Sequence, residues 1–389
     1  MRTRTAFAAS LLALAVLAAG CKKSGFWSPT PGEQIRFRAV SNCAGGTETK
    51  TAYSGEYFTV TEGGYSGKYE RIDWVTGDDI TVAYISYTDG TDFLVNADAY
   101  VVDEIKNPSQ QVAFAGIRPK YGNGLKWTDR ANHEFYSCYP DVSSDEDFAF
   151  ELSAGGITAA VPFDFPQAQQ LTRSESDENV FLPDMAHAPM LSGSGGAIST
   201  EGDVSLTFDP HFTAFEFQVT AKEGDSFTVN SFTLTSENHN ITGRFIWTMV
   251  DPANGTWKDV EKEGAVHNTA TVDFAALNND EPLALNDSKT ITFTVIVCCP
   301  EKVEVDPEHS DPSNYNLNDL TITFNINKDG EPVNRSLKLA NSGGNYLSFR
   351  RNRKHRITGI AVPLNLPVYG WFEMPSDSDA GGYTNEDWD

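Results

Sequence analysis

Apolar and polar residues alternate along most of this chain, and that alternation limits the fold more than any other feature. Leu320, Ile322, Phe324 and Ile326 alternate with Thr321, Thr323, Asn325 and Asn327. Phe215, Phe217 and Val219 alternate with Glu216 and Gln218, and Ile291, Phe293, Val295 and Val297 share one face. Successive side chains of a strand point to opposite faces, so a two-residue period sets one face on a core and the other in water. Further strands are expected at 35–40, 71–75, 79–87, 97–102, 111–115, 133–138, 157–161, 204–208, 226–235, 241–248, 269–274, 335–339 and 355–363. Asp89-Gly90, Gly122-Asn123-Gly124, Asp329-Gly330 and Gly343-Gly344 supply turns between them. No segment carries a long helical stripe. The expectation is an all-β chain of antiparallel β-sandwiches. A content of 40% hydrophobic and 12% aromatic residues supplies the core and excludes global disorder.

The first 20 residues follow a different rule. Arg2 and Arg4 precede an uncharged apolar run from Ala6 to Ala19, too short for a permanent membrane span. The run ends Leu17-Ala18-Ala19-Gly20-Cys21, which is similar to a lipoprotein signal with Cys21 as the lipidated residue. Several acyl chains on one cysteine make a firm anchor. The expected location is the outer membrane, lipid-anchored, with either face of that membrane open and a cell-surface fimbrium expected. A formal charge of −25 argues against nucleic acid and anionic membrane surfaces as partners.

Residues 21–33 read as a tether rich in Gly, Ser and Pro. The stretch 163–203 holds Gln167–Gln170, the acidic Glu175–Glu178 and the run Ser192-Gly193-Ser194-Gly195-Gly196. It divides the chain into expected sandwiches at 34–190 and 200–373, followed by an acidic polar tail at 374–389. Cys43, Cys138, Cys298 and Cys299 show no disulfide-framework spacing and read as buried small hydrophobes, with one bridge left open. Cys298 and Cys299 end a strand and are expected to point to opposite faces.

A search for chemistry finds no G-x-S-x-G and no H-E-x-x-H; Gly64-Tyr65-Ser66-Gly67 is one residue short of the first. The histidines are scattered, and His133 and His211 fall at strand starts, where a hydrogen-bonded structural role is expected. No catalytic residue, metal ligand or cofactor is assigned. Asp306, Glu308, Asp311, Asn314, Asn316 and Asp319 form an oxygen-rich loop without EF-hand spacing, read as solvated. Trp74, Trp127 and Trp247 sit in strand patterns and are expected in the core. The basic run Arg350-Arg351-Asn352-Arg353-Lys354-His355-Arg356 is read as a solvated hairpin loop, with docking onto an acidic neighbour as the alternative.

Taken in order, several segments resemble the fimbrillin family of type V pilus subunits. They are Lys50-Thr51-Ala52-Tyr53-Ser54-Gly55, Arg71-Ile72-Asp73-Trp74 with Gly77-Asp78-Asp79-Ile80, and Leu125-Lys126-Trp127. His133-Glu134-Phe135-Tyr136 running into Tyr139-Pro140, Asp184-Met185-Ala186 and Val204-Ser205-Leu206-Thr207-Phe208 with His211 follow, and His355-Arg356-Ile357-Thr358-Gly359-Ile360 closes the series.

The resemblance implies two tandem transthyretin-like β-sandwiches, lipoprotein export, proteolytic removal of the first strand and assembly by strand exchange with other fimbrillin subunits. No active site is needed. The strand to be removed is Ile35–Val40, with Ile35, Phe37 and Ala39 on one side, and cleavage is expected after Lys50. Val368, Gly370 and Phe372 mark the candidate donor strand. The role is that of a stalk, anchor or tip subunit that adheres to a host or bacterial target. A surface glycan-binding lipoprotein of an uptake system is the alternative, and a hydrolase the third reading.

Overall fold

A computed structural model describes residues 30–41, 52–62, 65–88, 93–109, 112–130, 132–153, 156–192, 197–198, 203–249, 255–260, 267–278, 281–299, 316–317, 319–340, 349–350, 354–365 and 383–386. The chain opens with β1 (Arg36–Ser41), β2 (Ala52–Glu62), β3 (Tyr65–Asp73), β4 (Asp79–Tyr87), β5 (Phe93–Ser109), β6 (Val112–Pro119) and β7 (Asn132–Tyr139). Then come β8 (Ala149–Ser153), β9 (Gly156–Phe165), β10 (Leu171–Arg173), β11 (Val180–Pro183), β12 (Met190–Ser192), β13 (Ala197–Ile198) and β14 (Asp203–Pro210). The next strands are β15 (Thr213–Ala221), β16 (Ser226–Ser236), β17 (Gly243–Met249), β18 (Gly255–Asp259), β19 (Thr269–Asp273), β20 (Leu283–Asn286) and β21 (Ile291–Val297), with one helical turn α1 (Phe274–Leu277). The last are β22 (Asn316–Leu317), β23 (Leu320–Lys328), β24 (Glu331–Lys338), β25 (Phe349–Arg350), β26 (Lys354–Val362) and β27 (Tyr383–Glu386). The all-β expectation is met. Among the described residues no helix is long and apolar enough to cross a membrane.

An eight-stranded sheet runs β1-β6-β5-β4-β7-β12-β14-β13, and β14 also pairs with β1, so the sheet closes on itself. A four-stranded sheet, β18-β17-β9-β8, contributes to the same core. The second core lies between the six-stranded sheet β10-β11-β21-β15-β26-β27 and the five-stranded sheet built on β19-β16-β23-β24. Face-to-face packing of two such sheets is the sandwich arrangement. Phe217, Phe232, Phe293 and Phe324 meet across this second core at ring separations of 4.8 to 5.4 Å. Each large apolar side chain buried this way contributes about 1.5–3 kcal/mol.

Among the described strands, pairing is antiparallel except at β1–β14, β11–β21 and β15–β26, which are parallel. The two cores do not follow the chain in blocks. β14 belongs to the sheet of β1 and β4–β7, and β17 pairs with β9, so strands on both sides of residues 190–200 share the first core. Short strands β10 to β13 occupy much of the stretch read as a boundary, and the acidic Glu175–Glu178 form the turn between β10 and β11.

Local sequence explains the turns. Asp329 (φ 55°) and Gly330 (φ 88°) both lie in the left-handed region, as a two-residue hairpin between β23 and β24 requires. Tyr65-Ser66-Gly67, one residue short of a nucleophile motif in sequence, belongs to the β2–β3 hairpin, where Gly67 pairs with Val60. In β26, Gly359 (φ 73°) absorbs an extra residue where the register with β15 shifts between Phe217 and Val219.

Cysteine and tryptophan placements follow the sequence reading. Cys298 lies in the first core and Cys299 in the second. Cys138, Cys298 and Cys299 are buried thiols, and Cys43 lies outside the described residues. Trp74, Trp127 and Trp247 are all core residues.

Candidate functional site: the seat of the first strand

β1 sits between β6 and β14 rather than at an edge. It runs antiparallel to β6, with Phe37 opposite Ile117 and Ala39 opposite Ala115. It runs parallel to β14, with Phe37 opposite Val204 and Ala39 opposite Leu206. The pairing extends upstream: Ile35 donates its N–H to Leu125 O at 2.9 Å, and Trp127 donates to Glu33 O at 2.9 Å. A strand paired on both sides leaves unpaired backbone groups on two neighbours when it departs, and such groups are a template for another strand.

The side chains divide as the alternation predicts. Ile35, Phe37 and Ala39 are buried, and Arg36 and Arg38 are exposed. Phe37 stands edge-on to Tyr100 at 5.3 Å and to Phe135 at 5.5 Å, a favoured aromatic geometry. Ala39 is 0% exposed between Ala115 and Leu206, its in-register partners on the two flanking strands, both themselves buried. On the solvent side Arg36 Nε lies 3.0 Å from Asp203 Oδ1, and Arg38 donates to Ser205 Oγ.

The wall of this seat is held rigid. Tyr100 accepts from the Leu125 N–H at 2.8 Å, and burial pushes its phenol well above its ordinary value. Gly124 (φ 64°) makes that approach feasible, because a Cβ there would meet Pro119 Cγ at 2.4 Å and Tyr100 Oη at 2.7 Å. His133 accepts at Nε2 from the Thr128 N–H at 3.3 Å and packs edge-on against Trp127 at 5.0 Å. Burial lowers its pKa from the ordinary histidine value. His211 Nδ1 is 3.1 Å from Asp209 O and its ring meets Trp247 at 5.1 Å. Both histidines therefore have the structural role expected from sequence.

The structure brings Ile35, Phe37 and Ala39 together on one core-facing side. Cys21, Lys50, Val368, Gly370 and Phe372 lie outside the described residues. Among the described residues no group of three or more His, Cys, Asp or Glu is placed to hold a metal ion. Asp319, taken from sequence as part of a solvated acidic loop, is buried. It accepts from Ser236 Oγ at 2.8 Å and from the Asn238 N–H at 2.6 Å. Tyr121 is strongly exposed, at 66%.

The basic run is the clearest correction. Its described part is not a solvated loop: Lys354, His355 and Arg356 begin β26, and Lys354 and His355 are buried. Lys354 Nζ lies 2.6 Å from Glu216 Oε2, and Arg356 donates to Glu216 Oε1. Burial alone would raise the Glu216 pKa, but the two cations overcome it and hold the carboxyl below its ordinary value. Sequence reasoning missed this cluster because the carboxylate partner comes from β15, far away along the chain.

No family model matches the sequence, and no curated protein matches it. Among solved structures, a proposed cell adhesion protein from Bacteroides ovatus matches 92% of this chain and 98% of its own, at 11% identity and a TM-score of 0.42. One from Bacteroides uniformis matches 93% and 100%, at 12% identity and a TM-score of 0.43. The C-terminally truncated tip fimbrial protein Mfa3 from Porphyromonas gingivalis matches 92% and 100%, at 10% identity and a TM-score of 0.32.

Proposed function

We propose that this chain is a fimbrillin-like structural and adhesive subunit of a surface fimbrium, in which β1 is given up and a strand from a second subunit takes its place. The observation that supports this is the seat of β1. One strand closes the first sheet by pairing with two neighbours, buries Ile35, Phe37 and Ala39 on its core side, and carries Arg36, Arg38 and the buried Val40 on its other face. An incoming strand that reproduces the main-chain pairing and fills the Phe37 pocket recovers most of what is lost, which is recognition by strand addition. No catalytic group is required.

In this reading Cys21 carries the lipid during export to the outer membrane, and cleavage after Lys50 releases β1 together with the anchor. Val368, Gly370 and Phe372 belong to the strand offered to the neighbour. The body is read as two tandem sandwiches divided near residues 190–200, with β14 and β17 completing the first.

The test is to recover the protein from cells and determine its N-terminus and mass. Chains that begin at Thr51 and run as high-mass ladders support the proposal. A lipidated chain beginning at Cys21 and found only as a monomer sinks it for the stalk role.

A further inference from the structure

The outer face of the five-stranded sheet carries almost no charge. β16 has no charged residue from Thr228 to Ser236, and β23 has none from Leu320 to Asn327. Phe232 and Phe324 point into the second core, so Thr233 and Thr323 beside them face the other way. Thr271, Thr233, Thr323 and Ser336 stand in register across β19, β16, β23 and β24. Asp273 on β19 and Lys338 on β24 lie at opposite margins of the face and have opposite signs.

The polar groups of this face bond to one another. Asn230 Nδ2 donates to Asn325 Oδ1 at 2.8 Å, and Asn325 Nδ2 donates to Asn334 Oδ1 at 2.8 Å. Asn327 Nδ2 donates to Thr228 Oγ1 at 3.0 Å, and the Thr323 and Ser336 hydroxyls meet at 2.9 Å. Threonine suits any strand, but asparagine is depleted in strands, so strand formation does not account for the asparagines. Together they make a flat surface whose amides and hydroxyls are fixed before any partner arrives. Each amide and hydroxyl both donates and accepts, so such a surface complements a copy of itself.

Charge decides where two copies can meet. The chain carries −25, and the other sheets set Arg36 and Asp203, or Glu216, Lys354 and Arg356, on the sides away from their cores. Two such bodies repel on most approaches. A face without charge lets them touch without setting like charges against each other. We propose that this face is a self-association surface, on which a second copy of this chain packs face to face about a two-fold axis. Four strands about 4.8 Å apart and about eight residues long cover about 500 Å². A stable interface takes about 800 Å² from each partner, so one contact is weak. Repeated in every subunit of a fibre, it becomes a lateral tie between fibres. That last step alone rests on the fimbrial reading above.

Sedimentation of the full chain tests this. Wild-type chains should associate about tenfold more tightly in about 1 M salt than in about 50 mM, as screening removes the repulsion between the bodies. Thr323→Lys sets two cations against each other across the axis and should weaken association by about tenfold or more. Asn334→Lys, at the exposed margin, should act in the same direction and covers the case in which Thr323→Lys fails to fold. Tyr121→Lys changes the net charge equally on an exposed turn elsewhere and should associate like wild type. An equal mixture of Thr323→Lys and Thr323→Glu should associate again. Wild-type chains that stay monomeric at both salt levels overturn the proposal, as does association of Thr323→Lys and Asn334→Lys equal to that of Tyr121→Lys. A mixture as weak as its two parts overturns the two-fold pairing. Monomers that bind a neutral polysaccharide, and lose it on Thr323→Lys, assign the face to a glycan instead. Processed chains that form no ladders while this pattern holds sink strand exchange and leave the self-association standing.

Discussion

Strands β1 and β26 each lie parallel to one of two consecutive strands, β14 and β15, and each sets basic residues opposite an acid in register. In β1, Arg36 faces Asp203; in β26, Arg356 faces Glu216, with Lys354 beside it. The apolar faces match as well, Ile35, Phe37 and Ala39 in one and Ile357, Ile360 and Val362 in the other. Burial of the ions separates them. The Arg36 side chain is 64% exposed and Asp203 30%, whereas Lys354 is 2% and Glu216 7% exposed. An exposed pair of this kind contributes about 0.2–1 kcal/mol. Breaking a buried pair by removing one partner costs about 3–5 kcal/mol, because a charge is left alone in low dielectric. The same local plan thus yields one strand whose polar ties part easily and one that is locked in place.

The strongest challenge to this contrast is Glu216→Gln. It should lower unfolding stability by about 3–5 kcal/mol in urea melts, since Lys354 loses its buried counter-charge. A loss below about 1 kcal/mol would mean the cluster is better solvated than its geometry indicates. The same carboxylate gives a pH signature. Its folded pKa is lowered from the ordinary 4.5, so its contribution is complete above that value and is lost as pH falls through the lowered folded value. Wild-type protein should therefore lose stability on acidification below pH 4.5 more steeply than Glu216→Gln, as read from melts across that range.

Phe37→Ala comes next. Emptying the pocket between Tyr100 and Phe135 should cost about 3 kcal/mol. Exchange should rise first in the β6 and β14 amides that pair with β1, with the second core unaffected. A uniform rise through both cores would show that β1 does not separate as a unit.

Arg36→Ala is the smallest change, with an expected cost of less than about 1 kcal/mol that vanishes at high salt. A larger, salt-independent loss would place this pair on the same footing as the Glu216 cluster and erase the contrast.

Much of this layout was readable where one strand explains itself. The Leu320–Asn327 alternation and the Asp329-Gly330 turn specify a hairpin locally, and β23 and β24 form it. Ile35, Phe37 and Ala39 fall on one face for the same reason. Three things were not readable. Lys354 and Arg356 look like a solvated run until Glu216, 140 positions from Arg356, is brought alongside. The parallel register of β1 with β14 joins segments separated by most of the first half of the chain, which no local period encodes. Arg335 occupies the face set by Val333, Leu337 and Leu339, where the alternation calls for an apolar residue, and its partners are carbonyls, which leave no trace in side-chain chemistry.

The closure of the first sheet has a kinetic side. Arg38 and Ser205 meet across 167 positions, so β1 cannot take its place until β14 has been made and delivered. Contacts of such high sequence separation form late, because the intervening loop must be closed first. The first strand in chain order is therefore among the last to settle. By then β4 to β7 have neighbours of their own, and a segment that joins so late can leave again while undoing little of what formed before it.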